Sequence, residues 1–470
     1  MSNVNIVSQN QAFEAITQEL DNIIQTGIVW DNMVSLSGAA GTGKTYLTTK
    51  LVEKLAQKYH ITITAPTHKA LQVLRQNLLS EDITGSVDTK TLQSFLNIRL
   101  NTDFDKGTQT FEPIKSKQKD ETKTDLLIVD ESSMVSYDLY QYIVNAIEKE
   151  RIKAVIFVGD ENQLLPVDNH DNKIFTINKA YKLDKIIRQA SGSYIINMAT
   201  QARHIITSKQ YKSLEDFFQN DSFRDKITFF ETEEEFHDDF CTPESWANKD
   251  KVIASFTNNS VDHHNRIIRD RYWKEQNVEN PEVLLQGDTV IFQQSNVINE
   301  KIVHQNSDIV KLSSASKCYQ EKLGIEYWTC QDLSNRPFNV IDPKSVERFK
   351  IVLNKIAKEA KCEKNTELRT QKWKFFYQIK ELFVDVKYVY ASTIHKLQGS
   401  TYRSVYIDLR DIENMKNKDM MFRLLYVAIT RASEEVKILL PNAVDSSLTR
   451  HHANVFNNID NQLNMFGMNL

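Results

Sequence analysis

The sequence of 470 residues predicts an α/β fold built on parallel sheets. Three observations predict it. Short apolar runs alternate with helical patterns in two separate series, a glycine-rich loop sits between one such run and a helix, and carboxylates follow two further runs. The length suggests two to four domains, and a chain that is 41% hydrophobic and 26% charged has the composition of a globular protein with ample core.

Phe13, Ile16, Leu20 and Ile23 recur at helical spacing and predict a helix from residue 11. Residues 33–37, 61–65, 126–129 and 154–158 are apolar enough to be strands buried on both faces of a parallel sheet, with helices from Lys44, from His68 and over 139–148 between them. Residues 97–121 do not fit that series and read as an inserted polar hairpin turning at Lys106-Gly107. A second series opens at 251–256 and resumes at Val389-Tyr390 and 404–407. The interruption predicts an inserted domain. It starts with a strand pair over 283–292, of the kind that builds small β-barrels, and ends in a basic helical stretch over 344–381. Trp373, Phe375, Phe376 and Tyr377 lie in that stretch, which reads as a solvated amphipathic helix packed through its aromatics. After Leu440 the chain is polar and reads as loosely ordered until its last few residues.

A net charge of −4 provides no overall basic field, so any nucleic-acid contact must come from a local groove. Cys241, Cys318, Cys330 and Cys362 form no CxxC pair and read as reduced packing residues, against a disulfide frame or a zinc site. No run reaches membrane-spanning length, and the start lacks the pattern of a signal peptide, so a cytoplasmic protein is expected.

Gly38-Ala39-Ala40-Gly41-Thr42-Gly43-Lys44-Thr45 fits GxxxxGK[ST] between a strand and a helix. Its small residues let backbone N–H groups face phosphate oxygens, Lys44 brings charge to the β and γ phosphates, and Thr45 offers a hydroxyl to Mg²⁺. The chain is therefore expected to bind ATP and Mg²⁺. Asp130 and Glu131 end the apolar run at 126–129, which suits Asp130 to the Mg²⁺ and Glu131 to orienting and deprotonating water. Gly159-Asp160-Glu161-Asn162-Gln163 follows another buried strand, and Gln163 is a candidate sensor of the γ phosphate.

Together with 65–70 (APTHKA), 183–189 (LDKIIRQ), 390–400 (YASTIHKLQGS) and 425–432 (LYVAITRA), these residues resemble the ordered motifs of superfamily 1 helicases over most of residues 5–440. The resemblance implies two RecA-like parallel-sheet domains. These are residues 1–190, with a hairpin insertion at about 97–121, and residues 191–282 with 385–447; a small β-barrel-containing insertion at 283–384 and a tail at 448–470 complete the chain. It implies that Arg188 and Arg431 reach the γ phosphate, that Gln9 reads the adenine, and that Pro66, Thr67, His68, Thr393 and His395 face single-stranded DNA. The Pro-Thr-His triplet, the hairpin and the barrel are similar to the 5′ to 3′ group containing Dda and RecD. In that group the hairpin is a pin that splits the duplex, which makes Phe104 or Phe111 the candidate wedge. Two departures stand out: Leu165 replaces a proline, and Thr91-Leu92-Gln93-Ser94-Phe95 lacks the usual Thr-Ile-His.

The expected partners are single-stranded DNA, duplex junctions and a single-strand binding protein, with the chain a monomer away from membranes. Gln462-Leu463-Asn464-Met465-Phe466 is similar to sliding-clamp peptides, and a tail folded back on the body is the plainer reading. Two rival functions share the phosphate loop. A P-loop ATPase that remodels protein or a nucleotide kinase has no use for 390–400 and 425–431, and an ATP-switched DNA-binding module has no use for Glu131 as a base.

Overall fold

The computed structural model describes residues 5–27, 31–65, 71, 74–75, 78, 86–103, 108–114, 123–165, 173–185, 194–242, 250–298, 301–413 and 415–444. The chain divides into two compact units, 1–236 with 393–470, and 237–392.

In the first unit, strands β1 (Asn5–Val7), β2 (Met33–Gly38), β3 (Ile61–Ala65) and β4 (Val87–Thr91) come first, followed by a hairpin of β5 (Ile98–Asp103) and β6 (Thr108–Pro113). Strands β7 (Thr124–Val129), β8 (Ile152–Gly159) and β9 (Lys179–Leu183) complete the set. Seven of them form one sheet in the order β1-β9-β2-β8-β7-β3-β4, and every pairing is parallel. Alternate residues of the strands face two layers. Val34, Leu36, Ile63, Leu126 and Ile156 pack on Ile16 and Leu20 of the helix Gln9–Thr26 and on Leu47 and Leu51 of the helix Lys44–Leu55. Leu127, Val129, Val155 and Phe157 pack on Leu139 and Ile143 of the helix Tyr137–Glu148 and on Phe95. Burial on both faces explains why these strands are continuous apolar runs. Strand order reverses about β2, so a crevice opens at its carboxyl end, where the loops after β2, β7 and β8 emerge.

The hairpin falls within the expected 97–121. Residues 104–107, with Phe104, lie outside the described residues, as does the side chain of Phe111. The same unit holds three further parallel strands side by side, Thr228–Thr232, Ala432–Val444 and Tyr402–Asp408, with the helix Lys418–Thr430 between the last two in sequence.

In the second unit five antiparallel strands run in the order Pro337–Ile341, Ile325–Asp332, Ile309–Gln320, Thr289–Phe292 and Val386–Tyr388. Beside the last of these, Val384 N–H donates to Asn339 O at 2.8 Å, so the two outer strands meet and the sheet curls towards a small barrel. Val290, Phe292, Leu312, Trp328 and Phe338 fill it. The helices Val346–Cys362 and Thr366–Glu381 rise from the barrel on a separate core of Ile325, Phe349, Ile379 and Phe383.

Several expectations are corrected. Residues 283–288 are not a strand, because the Asp288 carboxylate accepts from Leu285 N–H at 2.8 Å, Trp273 Nε1 at 2.8 Å and Arg269, curling the backbone before Thr289. Val389-Tyr390 is a break between the strands Val386–Tyr388 and Ala391–Thr393, where the Asn265 side chain takes over backbone pairing at Ala391. Residues 441–444, where the tail is expected to begin, continue a strand instead of opening a loose tail. Of the cysteines, all free thiols, Cys330 is buried, Cys241 and Cys318 are partly buried, and Cys362 is exposed, against the expectation of packing. Trp373 and Phe376 pack as expected, whereas Phe375 and Tyr377 are 50% and 40% exposed. Residues 445–470, including the Gln462–Phe466 peptide, lie outside the described residues. Among the described residues no helix is long and apolar enough to cross a membrane.

Candidate nucleotide-binding site

The loop after β2 is shaped by its own backbone. Gly43 adopts φ 84°, and a Cβ there would stand 1.8 Å from Gln9 Nε2, so only glycine leaves the glutamine room. Gln9 Nε2 donates to Thr42 O at 2.9 Å, and Thr42 Oγ1 donates to Ala39 O at 2.9 Å. Lys44 Nζ folds back to donate to Gly38 O at 2.6 Å and Ala39 O at 3.0 Å. Thr45 is exposed on the first turn of the helix that begins at Lys44. An ammonium group and unpaired helix N–H groups converge here, the chemistry that recognises phosphate. Beside them Gln9 lines a cavity of about 190 Å³ with Val7, Ser8, Asn10, Leu183 and Lys185.

At the end of β7, Asp130 N–H donates to Thr64 O at 2.9 Å and fixes the start of the next loop. Burial, reinforced by Glu131, pushes the Asp130 carboxyl up to about 7, and the Lys44 charge partly opposes the shift. Glu131 has φ 47°, an uncommon conformation for a residue with a side chain, which turns the chain sharply into Ser132–Met134. The Ser132 hydroxyl is buried without a hydrogen-bond partner among the described residues. A carboxyl whose ionisation burial disfavours, with the Thr45 hydroxyl on the neighbouring loop, suits a hard divalent cation; the oxygen donors fit Mg²⁺, and Asp130 and Thr45 would hold it.

The loop after β8 has different surroundings. Asp160 is 1% exposed. It accepts from Asn162 N–H at 3.0 Å and from the Tyr426 hydroxyl at 2.5 Å. The same hydroxyl accepts Ala40 N–H at 3.2 Å, so Tyr426 joins the phosphate loop to the β8 loop. Arg423 Nη1 donates to Glu161 O at 2.7 Å and Gln163 O at 2.9 Å while its Nε is held by Asp419 at 2.7 Å. Buried Gln163 receives Gln398 Nε2 at 3.3 Å. Sequence reasoning assigned no role to Tyr426, Asp160, Arg423 or Gln398. Tyr426, Asp160 and Gln398 lie inside the recognised motifs, and Arg423 is marked only by its i,i+4 spacing from Asp419.

Arg431 is buried at the end of the helix Lys418–Thr430. Its guanidinium donates to Val427 O at 3.2 Å, Ser400 O at 3.1 Å and Thr430 Oγ1 at 3.0 Å. Thr393 caps a short helix through Lys396 N–H at 3.4 Å, and burial lowers the pKa of the half-buried His395, favouring neutral imidazole. Thr91 caps the turn 92–96 through Ser94 N–H at 3.2 Å, with Leu92 and Phe95 buried and Gln93 partly exposed. Pro66, Thr67, His68 and Arg188 lie outside the described residues. The structure thus gathers Gln9, the phosphate loop, Lys44 and Asp130-Glu131, and adds Gln163 through Tyr426 and Arg423.

Residues 2–169 match the family described as AAA domain, and residues 388–439 match the UvrD-like helicase C-terminal domain. The ATP-dependent DNA helicase dda of Enterobacteria phage T4 is 26% identical over 86% of this chain and 93% of its own. Uncharacterized protein R530 of Acanthamoeba polyphaga mimivirus is 24% identical over 86% and 94%. The RecD subunit of the RecBCD enzyme from Buchnera aphidicola is 26% identical over 40% of this chain and 33% of its own. A structure of Pif1 helicase from Bacteroides, with ADP-AlF3 and single-stranded DNA, has a TM-score of 0.49 at 17% identity, covering 95% of this chain and 96% of the other. An AAA domain match at the front, a helicase C-terminal domain match behind it and similarity to dda over most of both chains together support a superfamily 1 helicase of the Dda and RecD type.

Proposed function

We propose that the chain is a monomeric ATP-dependent DNA helicase that moves 5′ to 3′ on single-stranded DNA and opens duplex junctions during replication, recombination or repair. Residues 1–190 and 191–282 with 385–447 are its two ATPase lobes, and 283–384 its inserted domain. One observation carries the reading. The Tyr426 hydroxyl touches both Ala40 N–H of the phosphate loop and Asp160 of the β8 loop, and its helix ends at Arg431. A change at the γ phosphate therefore has a mechanical route into residues far along the chain.

In the hydrolytic step Glu131 takes a proton from water as that oxygen bonds to the γ phosphorus and the bond to the β-γ bridging oxygen breaks. Lys44 balances charge on the phosphates, Gln163 senses the γ phosphate, and Arg188 with Arg431 completes the neutralisation; such arginines contribute about 10³ to 10⁵ in rate. Bound Mg²⁺ would supply further charge neutralisation. Thr67, His68, Thr393 and His395 face the DNA strand.

The test is ATP turnover by the purified chain with and without single-stranded DNA. A many-fold rise supports a motor, and a rate indifferent to DNA sinks the proposal in favour of a protein-remodelling ATPase. Unwinding of a duplex with a 5′ overhang and not of one with a 3′ overhang supports the polarity.

A further inference from the structure

The strongest unassigned feature is the pair of helices Val346–Cys362 and Thr366–Glu381 in the second unit. From Val346 to Glu381 there are ten Lys or Arg against five Asp or Glu, whereas the chain as a whole carries 58 against 62. The excess is organised. Arg348, Lys355 and Lys358 stand at i, i+7 and i+10, which places them on one side of the first helix over about 15 Å. All three are exposed, and none has an ion-pair partner among the described residues. By contrast, Lys372 on the second helix is tied to Glu363 at 2.7 Å. The stripe begins against the barrel. Arg348 Nε would lie 3.6 Å from a Cβ at Gly324, in the turn that also exposes Lys322, and Tyr319 beside it is 62% exposed.

We propose that this stripe is a docking surface for the phosphate backbone of double-stranded DNA, an inference that rests on the helicase reading. Three cations left unpaired on a rigid helix of an acidic protein repel one another, and a polyanion with one charge per about 1.7 Å of axis removes that repulsion while releasing its counterions. Single-strand sites add a platform of rings for stacking. The stripe itself offers no such platform among the described residues: exposed Ile351 is its apolar member on the helix, Tyr319 is a single exposed ring at its barrel end, and the exposed Phe375 and Tyr377 lie about 200° apart on the other helix. The contact is therefore electrostatic and indifferent to sequence.

The test uses the full chain and a blunt 20-base-pair duplex, with binding measured from low to moderate salt. The triple variant Arg348→Ala/Lys355→Ala/Lys358→Ala is expected to lower the slope of log affinity against log salt by about 3, near 0.9 per phosphate contact. Its ATP turnover on oligo-dT should stay unchanged. Removing the exposed carboxylate of Glu359 beside the stripe, as Glu359→Gln, should strengthen duplex binding, a gain that misfolding would not produce. An unchanged slope in the triple variant overturns the proposal, and so does an equal loss on oligo-dT, which would make the stripe a single-strand site. Absence of oligo-dT stimulation in the unsubstituted chain would instead count against the helicase reading.

Discussion

The loops that leave β7 and β8 are neighbours on one sheet edge, each begins with a buried or half-buried aspartate, and they are satisfied in opposite ways. Asp160 accepts hydrogen bonds from Asn162 and Tyr426, and the carbonyls that follow it are held by Arg423. Asp130 accepts a backbone N–H from Glu131, but burial and the neighbouring Glu131 charge still push its carboxyl up to about 7, and the nearby Ser132 hydroxyl has no hydrogen-bond partner among the described residues. The β8 loop is held by side chains from far along the chain, and the β7 loop keeps two carboxylates side by side. Burial alone therefore does not distinguish the two carboxylates; the charge of the neighbouring Glu131 does.

The comparison breaks most visibly at the β7 loop. Glu131→Gln should lower DNA-stimulated ATP turnover by about 10² to 10⁴ and leave single-strand affinity unchanged, measured by phosphate release and fluorescence anisotropy. Loss of DNA binding by the folded variant would count against Glu131 as the base. Tyr426→Phe should act on the other loop. It removes a hydrogen bond to a buried carboxylate, which makes the fold less stable by about 2 kcal/mol in chemical denaturation, and it should cut DNA-stimulated turnover roughly tenfold. A variant as stable and active as the parent would show that the bridge to Ala40 has no consequence. Gly159→Ala tests how closely the two loops fit, because the new Cβ would stand 2.6 Å from Ser132 Oγ and 3.2 Å from Ser133 N. A loss of about 1 to 3 kcal/mol is expected, partly restored by Ser132→Ala; no restoration would locate the clash elsewhere.

The smallest effect concerns pH in metal-free protein. The folded pKa of Asp130 lies above its ordinary value, so the folded state holds that proton longer and stability falls as pH rises from about 4 to about 7. Asp130→Asn should flatten this part of the profile in chelator. Parallel profiles for variant and parent would refute the origin of the slope.

The sheet and the phosphate loop were legible because they are local: continuous apolar runs for strands buried twice over, and a glycine-rich turn before a helix. The positions of Asp130 and Glu131 were legible for the same reason, since they directly follow such a strand, and Gln163 lies four residues beyond another. Tyr426 was not, because its contact with Ala40 spans 386 positions and depends on how two distant segments pack. Local pattern also failed where side chains replaced backbone partners: Asp288 curls 283–288 out of the predicted strand, and Asn265 interrupts the one expected at 389–390. In the basic stretch the composition was readable but the roles of its four aromatics were not. Adjacent positions on a helix lie about 100° apart, which sends Phe376 inward and Phe375 outward.

Arg431 has a kinetic consequence. Hydrogen bonds to Val427, Ser400 and Thr430 help hold the guanidinium within its own neighbourhood. On the reading in which it reaches the γ phosphate, those bonds must be exchanged first. At about 1 kcal/mol each they leave the reactive arrangement near one part in a hundred until something else favours it. On that reading the rarity of the competent arrangement would throttle the idle enzyme, and stimulation by DNA on the order of a hundredfold would correspond to releasing those bonds.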